Sequence, residues 1–282
     1  MTTFLDRVVA ERRADVAEAR RREPHLGRAL ADAPPVRLFR LSLQANAGAG
    51  RVAVIAEVKR ISPAAGVLAD QGFDPRTQAL LYAGAGAAAI SVLTEPRHWG
   101  GSFDDLRAVR AMVKIPVLCK DVIVDEYQVW QARAAGADAI LLIAEALGDA
   151  ELARLVDVVT GLGMEPFVEA HDAVAFERAA RTKALVIGAN ARDLRDPSAI
   201  DRSRARLLHT FVRPHQLYVA ESGITSPADL VELPARVDAI LVGTALMRSA
   251  DPAGLLRLFT AAQRGPVSVG RGRTIMRDES RS

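Results

Sequence analysis

Eight short apolar segments recur along the chain and constrain its fold more than any other feature. They span residues 52–58, 88–93, 115–120, 138–144, 165–170, 184–190, 217–223 and 238–244. The segments are continuously apolar, which is typical of parallel strands buried on both faces. Stretches with helical periodicity separate them, such as "SFDDLRAVRAMVK" and "SPADLVELPARV", and the spacing suits a strand, a helix and two loops.

Eight strand–helix units over roughly 200 residues predict a closed (β/α)8 TIM barrel. An open, doubly wound sheet is the alternative, but it usually has fewer strands and a glycine-rich fingerprint after its first strand. The nearest match, "YAGAGAAA", leads into a strand and does not follow one. We therefore favour the barrel and assign residues 51–262 to a catalytic barrel domain.

The two ends of the chain depart from this pattern. Phe4, Leu5, Val8, Val9 and Val16 form an apolar stripe with helical spacing, and charged residues occupy the opposite face. We expect residues 1–50 to form a helical extension that packs on the barrel. We expect a disordered tail over residues 263–282.

Composition excludes several classes of protein. The net charge is only +3 and basic residues are interspersed with acidic ones, so we expect no nucleic-acid partner. No apolar stretch approaches the ~20 residues of a membrane span, and the N-terminus lacks an apolar signal core, so we expect no membrane partner and a cytoplasmic location. The single Cys119 excludes an internal disulfide. The five histidines are scattered, and we expect no metal.

Lysine is rare in this chain and its placement is informative. Of 37 basic residues only four are lysine, and two of these, Lys59 and Lys120, fall at the ends of predicted strands. Lysine can act as an acid, or as a nucleophile once deprotonated, whereas arginine practically cannot.

Side chains at the C-terminal ends of barrel strands converge on one face, where chemistry takes place. The eight ends carry Glu57 and Lys59, Thr94 and Glu95, Lys120 and Asp121, Glu145, Glu169, Asn190 and Arg192, Glu221 and Ser222, and Gly243 and Thr244. A single charged residue at such an end is more often a solvated loop residue. Two lysines together with carboxylates on strands one, five and seven predict a site for acid–base chemistry.

The polar residues at the end of the first strand, "VAVIAEVKRISP", are expected to point in different directions and to have different roles. Glu57 and Lys59 are two positions apart and therefore share one face, which we expect to point into the barrel entrance. Arg60 points the other way and is interpreted as a solvated strand end. Ser62 is a candidate site hydroxyl, and Pro63 is expected to stiffen the loop that carries it.

The last two strand ends predict a phosphate site. "AESGI" and "LVGTALM" place Gly223 and Gly243 where backbone N–H groups can approach a ligand, and Thr244 begins a short helical stretch. Such barrels usually bind phosphate with the loops after strands seven and eight and the N-terminus of a short extra helix. We expect a phosphorylated small-molecule substrate.

Together these motifs are similar to those of the indole-3-glycerol phosphate synthase family. The resemblance rests on "IAEVKRISP", "SVLTEPRHWGGS", "VLCKDVIVDEYQV", "GMEPFVEAHD", "IGANARDL", "VAESGI" and "DAILVGTALMRSADP", which follow the family order over nearly all of residues 4–260. The resemblance implies closure of 1-(2-carboxyphenylamino)-1-deoxyribulose 5-phosphate into an indole with loss of CO₂ and water. It implies no cofactor, because the amine and the ketone are already in the substrate. We expect a monomer or a weak homodimer.

The resemblance also implies roles for individual residues. It makes Lys120 the acid that protonates the ribulose carbonyl and implicates Lys59 and Glu169 in dehydration, without deciding which is acid and which is base. Glu57 and Glu221 would hold the lysines protonated and orient hydroxyls. The implied substrate contacts are Ser62, Trp99, Asn190, Arg192 and Ser222, and the implied phosphate contacts are Gly223, Gly243, Thr244 and Lys59.

Two departures from the family pattern flank the Lys120–Asp121 pair. Val122 stands where the family usually has phenylalanine, and Cys119 stands where it usually has arginine. The smaller side chain removes apolar surface from the site, and Trp99 is expected to compensate by stacking. Cys119 is interpreted as a packed thiol and not as a nucleophile.

Other functions remain open at the level of sequence. One is a paralogue with the same chemistry in a pathway to an indole secondary metabolite. Another is an aldolase that forms a Schiff base on Lys120, although carboxylates on three strand ends favour proton transfer. The last is a non-catalytic phosphosugar-binding protein.

Overall fold

The structure is a computed structural model that describes residues 2–48, 50–70 and 72–263. Three helices precede the first barrel strand: α1 (Phe4–Arg22), α2 (Gly27–Ala31) and α3 (Phe39–Asn46). Helix α1 begins with a capping box, in which the Thr3 hydroxyl accepts from the Asp6 N–H and the Asp6 carboxylate accepts from the Thr3 N–H. The predicted tail lies outside the described residues except for Gln263.

Eight parallel strands close into a barrel, which confirms the predicted (β/α)8 fold. They are β1 (Ala53–Val58), β2 (Ala89–Leu93), β3 (Val117–Lys120), β4 (Ala139–Ile143), β5 (Glu165–Ala170), β6 (Val186–Asn190), β7 (Leu217–Glu221) and β8 (Ala239–Val242). Each strand pairs with the next in sequence, and β1 pairs with β8 from Ala53 opposite Ala239 to Ala56 opposite Val242. The closed order brings all eight C-terminal ends to one rim.

Helices connect most of the strands on the outside of the barrel. They are α4 (Pro75–Gly84), α5 (Phe103–Met112), α6 (Glu126–Ala134), α7 (Asp149–Gly161), α8 (Ala173–Arg181), α9 (Arg204–Leu208), α10 (Thr244–Arg248) and α11 (Pro252–Ala261). The stretch "SPADLVELPARV" forms a 3₁₀ helix, Pro227–Glu232, instead of the α-helix that its periodicity indicates. Pro234 follows two residues later, and a proline ring disfavours helical backbone in the residue before it.

Two apolar layers hold the barrel together. One fills its interior with side chains such as Ile55, Leu118 and Phe167, and the other packs the strands against the surrounding helices. Helix α3 belongs to the interior layer, since Phe39 lies 6.4 Å from the Phe167 ring and Arg40 lies 3.7 Å from Glu165 at the start of β5. Helix α3 therefore covers the N-terminal end of the barrel.

Helix α1 is fastened to the opposite end, where the strands finish. The Arg12 guanidinium donates to both carboxylate oxygens of Asp121, at 3.0 and 2.9 Å, and the Thr94 hydroxyl donates to the same carboxylate. The Phe4 N–H donates to the Arg195 carbonyl at 3.1 Å, in the loop after β6. None of the helices formed by the described residues is both long and apolar enough to span a membrane.

We predict that Arg12→Ala destabilises the fold by about 3 to 5 kcal/mol, because it leaves the buried Asp121 carboxylate without its ion pair. Arg13→Ala is the matched control, since Arg13 pairs with Glu151 at the surface, where both side chains are more than 40% exposed. Such a pair contributes at most about 1 kcal/mol. Urea unfolding measures both, and equal losses would contradict a special role for the Arg12–Asp121 pair.

Candidate active site

A cavity of about 650 Å³ opens at the C-terminal end of the barrel. All the residues that sequence reasoning assigns to the site line it: Glu57, Lys59, Ser62, Trp99, Lys120, Glu169, Asn190, Arg192, Glu221, Ser222, Gly223, Gly243 and Thr244. They come from β1, β3, β5, β6 and β7, from the loops that follow strands and from the start of α10. The closed barrel thus brings residues far apart in sequence into one site.

Lys120, the last residue of β3, lies at the centre of the charged half of the cavity. Its Nζ donates to Glu169 Oε2 and to Glu221 Oε2, both at 3.1 Å. Burial alone would lower the pKa of Lys120, but the charges of Glu169, Glu221 and Glu57 outweigh it and raise the pKa. Lys120 is therefore held as an ammonium that can donate a proton.

Lys59 and Glu57 form a second ion pair across the cavity, with Nζ 2.6 Å from Oε1. Burial works against ionisation of Glu57, but the positive charges of Lys59 and Lys120 outweigh it and lower the pKa of Glu57. Glu57 of β1 and Lys59, just after the end of β1, both point into the cavity, as their spacing predicts.

Glu221 differs from the other carboxylates of the site. Burial, together with the neighbouring charge of Glu169, raises the pKa of Glu221 well above its usual range. Its Oε2 accepts a hydrogen bond from Lys120 Nζ, whereas its Oε1 is buried without a hydrogen-bond partner. Asn190 Nδ2 donates to Glu169 Oε1 at 3.3 Å. The site therefore combines the Lys120 ammonium with two carboxyl groups, Glu57 and Glu221, whose pKa values are shifted in opposite directions.

The loops after β7 and β8 form the polar wall on the other side. Ser222 and Gly223 both have left-handed backbone, with φ of 65° and 71°. This conformation is unfavourable for serine, so the chain is held in a sharp turn where it borders the cavity. Gly243 precedes α10, and a Cβ there would lie 2.3 Å from Glu57 Oε1 and 3.0 Å from Lys59 Nζ. Only glycine lets the Glu57–Lys59 pair take this position.

The remaining wall is apolar and is formed by Leu93, Trp99, Val122, Leu141, Ile143, Leu194 and Leu241. Trp99 is fixed at its backbone, where its N–H donates to Glu95 at 3.1 Å, and at its ring, where Phe4 of α1 makes an edge contact at 6.0 Å. Val122 is almost fully buried and lines the same wall. This wall can accept an aromatic ring beside the charged groups.

Several strand-end residues lie elsewhere than expected. Arg60 points away from the cavity, as expected, but it is more than a solvated strand end: it forms a two-pronged ion pair with Asp105, and its guanidinium lies 5.5 Å from the centre of the Phe73 ring. Thr94 binds Asp121 and does not line the cavity, and Glu145 lies behind Glu169 in a separate small cavity. Arg60 and Thr94 point away because successive residues of an extended chain face opposite sides, whereas Glu145 lies in a 3₁₀ turn, Ala144–Ala146, that follows β4.

Cys119 is a packed thiol, as expected. It is fully buried, and burial raises its thiol pKa to about 12. Within the part of the chain that the structure describes, no group of His, Cys, Asp or Glu side chains is arranged to hold a metal ion.

A closed parallel barrel with ion-paired lysines and glutamates at its C-terminal rim has the architecture of a (β/α)8-barrel enzyme, and these groups are suited to proton transfer. Comparisons with known proteins give the family. The indole-3-glycerol phosphate synthase profile matches residues 5–258. The chain is 43% identical to the indole-3-glycerol phosphate synthase of Streptomyces griseus subsp. griseus over 96% of this chain and all of that protein, and 45% identical to that of a Nocardioides species over 93% and 99%. The chain belongs to the indole-3-glycerol phosphate synthase family.

A solved structure supports the fold alone. The crystal structure of 3-hexulose-6-phosphate synthase superposes with a TM-score of 0.57 at 16% identity and covers 75% of this chain and 100% of that one. The two share the barrel architecture.

Sequence reasoning missed Gly188, a residue in the middle of β6. A Cβ at this position would lie 2.3 Å from Glu221 Oε1 and 2.7 Å from the Phe167 ring. Gly188 therefore makes room for the Glu221 carboxylate beside Lys120. A glycine within a strand is the sequence signal for such a close approach.

We predict that Gly188→Ala displaces Glu221 and lowers kcat by at least about tenfold, because the acid–base groups lose their alignment. Gly161→Ala is the matched control, since a Cβ there meets nothing within 4 Å. Circular dichroism checks folding and indole fluorescence measures turnover. Full activity in Gly188→Ala would show that the close approach does not matter.

Proposed function

We propose that the chain converts 1-(2-carboxyphenylamino)-1-deoxyribulose 5-phosphate to indole-3-glycerol phosphate, with release of CO₂ and water. Support comes from the family and from one observation above all, which is Lys120 held between Glu169 and Glu221 at 3.1 Å from each. This substrate has an aromatic carboxylate, a ketone, hydroxyls and a phosphate, and the cavity has an apolar wall, an ammonium acid, carboxylates and glycine loops.

Ring closure needs an acid at the ribulose carbonyl. As the aromatic carbon attacks this carbonyl, negative charge develops on its oxygen, and Lys120 donates a proton there. Breaking the bond to the carboxylate then releases CO₂ and restores the aromatic ring. The glutamates that surround Lys120 favour its charged form before the reaction.

Dehydration needs an acid for the departing hydroxyl and a base for the proton on the ring nitrogen. We propose Lys59 and Glu169 for these two roles. Glu57 holds Lys59 at 2.6 Å, and Glu221 holds Lys120 at 3.1 Å. Both glutamates also have a buried oxygen without a partner, which can accept a substrate hydroxyl.

The ends of the substrate bind to opposite walls in this proposal. The phosphate binds to Gly223, Gly243, Thr244 and Lys59, where backbone N–H groups and the start of α10 border the cavity. The aromatic ring packs on Trp99 next to Val122, and Ser62, Asn190, Arg192 and Ser222 contact the polar middle. This orientation places the ketone near Lys120.

Charge at Lys120 argues against an aldolase that forms a Schiff base there. An amine must lose its proton before it attacks a carbonyl, and the surrounding carboxylates raise the pKa of Lys120. Borohydride with a ketose phosphate should therefore leave no adduct on Lys120. A stable adduct on Lys120 would overturn its role as an acid.

The proposal also covers the cellular location, the oligomeric state and the domain limits of the protein. We propose a cytoplasmic, monomeric or weakly dimeric enzyme with no nucleic-acid partner, in which residues 1–50 form the extension and residues 51–262 the catalytic domain. The small net charge of +3 supports the absence of a nucleic-acid partner. Light scattering over a concentration series tests the oligomeric state.

We predict that Lys120→Ala lowers kcat by roughly 10²- to 10⁴-fold while substrate still binds, because the general acid is lost and the walls of the cavity remain. Lys183→Ala is the matched control, since the Lys183 side chain is 80% exposed and pairs with Asp157 at the surface. Indole fluorescence measures turnover, and calorimetric titration measures binding. Full activity of Lys120→Ala would rule out the mechanism.

The proposed activity itself is tested with the purified, unmodified protein and the synthetic anthranilate-ribulose phosphate. We expect indole fluorescence to rise in proportion to enzyme concentration. A folded protein that gives no signal would contradict the proposed function.

A further inference from the structure

A small second cavity lies directly behind Glu169. It is lined by Leu5, Ile143, Glu145, Glu169, Ala170, His171, Asn190, Arg192, Asp193 and Leu194. Its volume is about 10 Å³, close to the space that the centre of one water molecule requires. Its polar lining can hold a water on the side of Glu169 that faces away from Lys120.

Glu145 also borders a groove on the outer surface. This groove has a volume of about 510 Å³ and is lined by Thr3, Leu5, Asp6, Glu145, Asp172, Ala173, Val174, Ala175, Arg178 and Arg195. Glu145 is therefore the carboxyl that connects the inner cavity beside Glu169 with the outside of the barrel. Leu5 of α1 is the other residue that lines both spaces.

Hydrogen bonds fix Glu145 in this position. Its Oε1 accepts from the His171 N–H at 2.6 Å and from the Asp172 N–H at 3.3 Å, in the turn after β5. His171 Nδ1 lies 2.9 Å from the Asn190 carbonyl oxygen, which can only accept, so Nδ1 carries a proton. The turn therefore binds Glu145 through its backbone N–H groups and contacts Asn190 through the His171 ring. It directly follows β5, which carries Glu169.

The proposed reaction consumes one proton in each turnover. The carboxylate leaves as neutral CO₂, and its bonding electrons stay in the ring that closes. The carbonyl oxygen leaves as water with two protons, and the substrate supplies one of them when it loses a proton to form the indole. The other must come from solvent, while substrate or product fills the main cavity.

We propose that Glu145 is a proton-relay residue that takes this proton from the outer groove and passes it through one water to Glu169. Glu169 then passes the proton to Lys120 across their 3.1 Å hydrogen bond. The inference rests on the proposed function, because only a reaction that consumes a proton needs such a route.

The ionisation of Glu145 suits this role. Burial raises its pKa to about 7, so the carboxyl can both hold and release a proton near neutral pH. The titratable and charged groups that face it are Asp6 of α1, Glu169 of β5, Arg178 of α8, Arg192, Asp193 and Arg195 after β6, and His171 and Asp172 of the turn. Acidic and basic groups are mixed around it.

Glu145→Gln tests the relay. The amide oxygen of glutamine can still accept from His171 and Asp172, but the side chain cannot carry a proton at neutral pH. A single turnover in weak buffer with a pH-indicator dye follows proton uptake, and indole fluorescence follows ring formation. We expect the two signals to coincide in the unmodified protein. We expect uptake in Glu145→Gln to lag at least about tenfold behind indole formation.

Glu165→Gln is the matched control. Burial raises the pKa of Glu165 to about 7 as well, but this residue starts β5 at the other end of the barrel, near Arg40. Its proton uptake should coincide with indole formation, as in the unmodified protein. If proton uptake lagged in both variants, the delay would follow from the loss of any buried carboxyl group, and this result would overturn the relay.

The outcomes separate the two proposals. If the unmodified protein forms no indole, the proposed function fails. If it forms indole and Glu145→Gln takes up its proton without a lag, the relay alone fails. Should Glu145→Gln not fold, the unmodified protein still decides: as pH rises above about 7, fewer molecules hold a protonated Glu145, so uptake should lag increasingly. No lag at alkaline pH would overturn the relay.

Discussion

The rest of the structure depends on the ion pairs that Glu169 and Glu221 form with the buried ammonium of Lys120. An ammonium removed from water is costly unless carboxylates compensate it at hydrogen-bond distance. Here these carboxylates come from β5 and β7, which are 49 and 101 residues further along the chain. Only a closed barrel with the correct register brings them together, so the fold and the site are set by the same strand pairing.

The N-terminal helix belongs to the same electrostatic arrangement. Asp121 follows Lys120 directly, and its carboxylate binds Arg12 of α1 and Thr94 instead of turning towards the lysine. Lys120 needs no further carboxylate at hydrogen-bond distance, because Glu169 and Glu221 already accept hydrogen bonds from its ammonium. Helix α1 therefore removes a competing charge from the site while it anchors the end of β3.

The sequence predicts those parts of the molecule that follow from local pattern. Eight apolar runs predict eight strands, and the residues at their ends predict the site, because barrel closure brings all those ends to one rim. Arg60 and Gly188 could not be placed in this way. The partner of Arg60 is Asp105, on α5, and the role of Gly188 depends on how closely the Glu221 side chain approaches it from the neighbouring strand β7. Such contacts depend on the distance between elements, which periodicity does not give.

Two carboxylate oxygens of the site are unfavourable for the stability of the fold. Glu57 Oε2 and Glu221 Oε1 are buried without a hydrogen-bond partner in the described structure. Each such atom costs about 1 to 3 kcal/mol, since it has lost its hydrogen bonds to water. Both residues line the cavity, and the proposed substrate brings its hydroxyls there. Binding would satisfy these oxygens, so part of the free energy lost on folding would be recovered as affinity for a polyhydroxylated ligand.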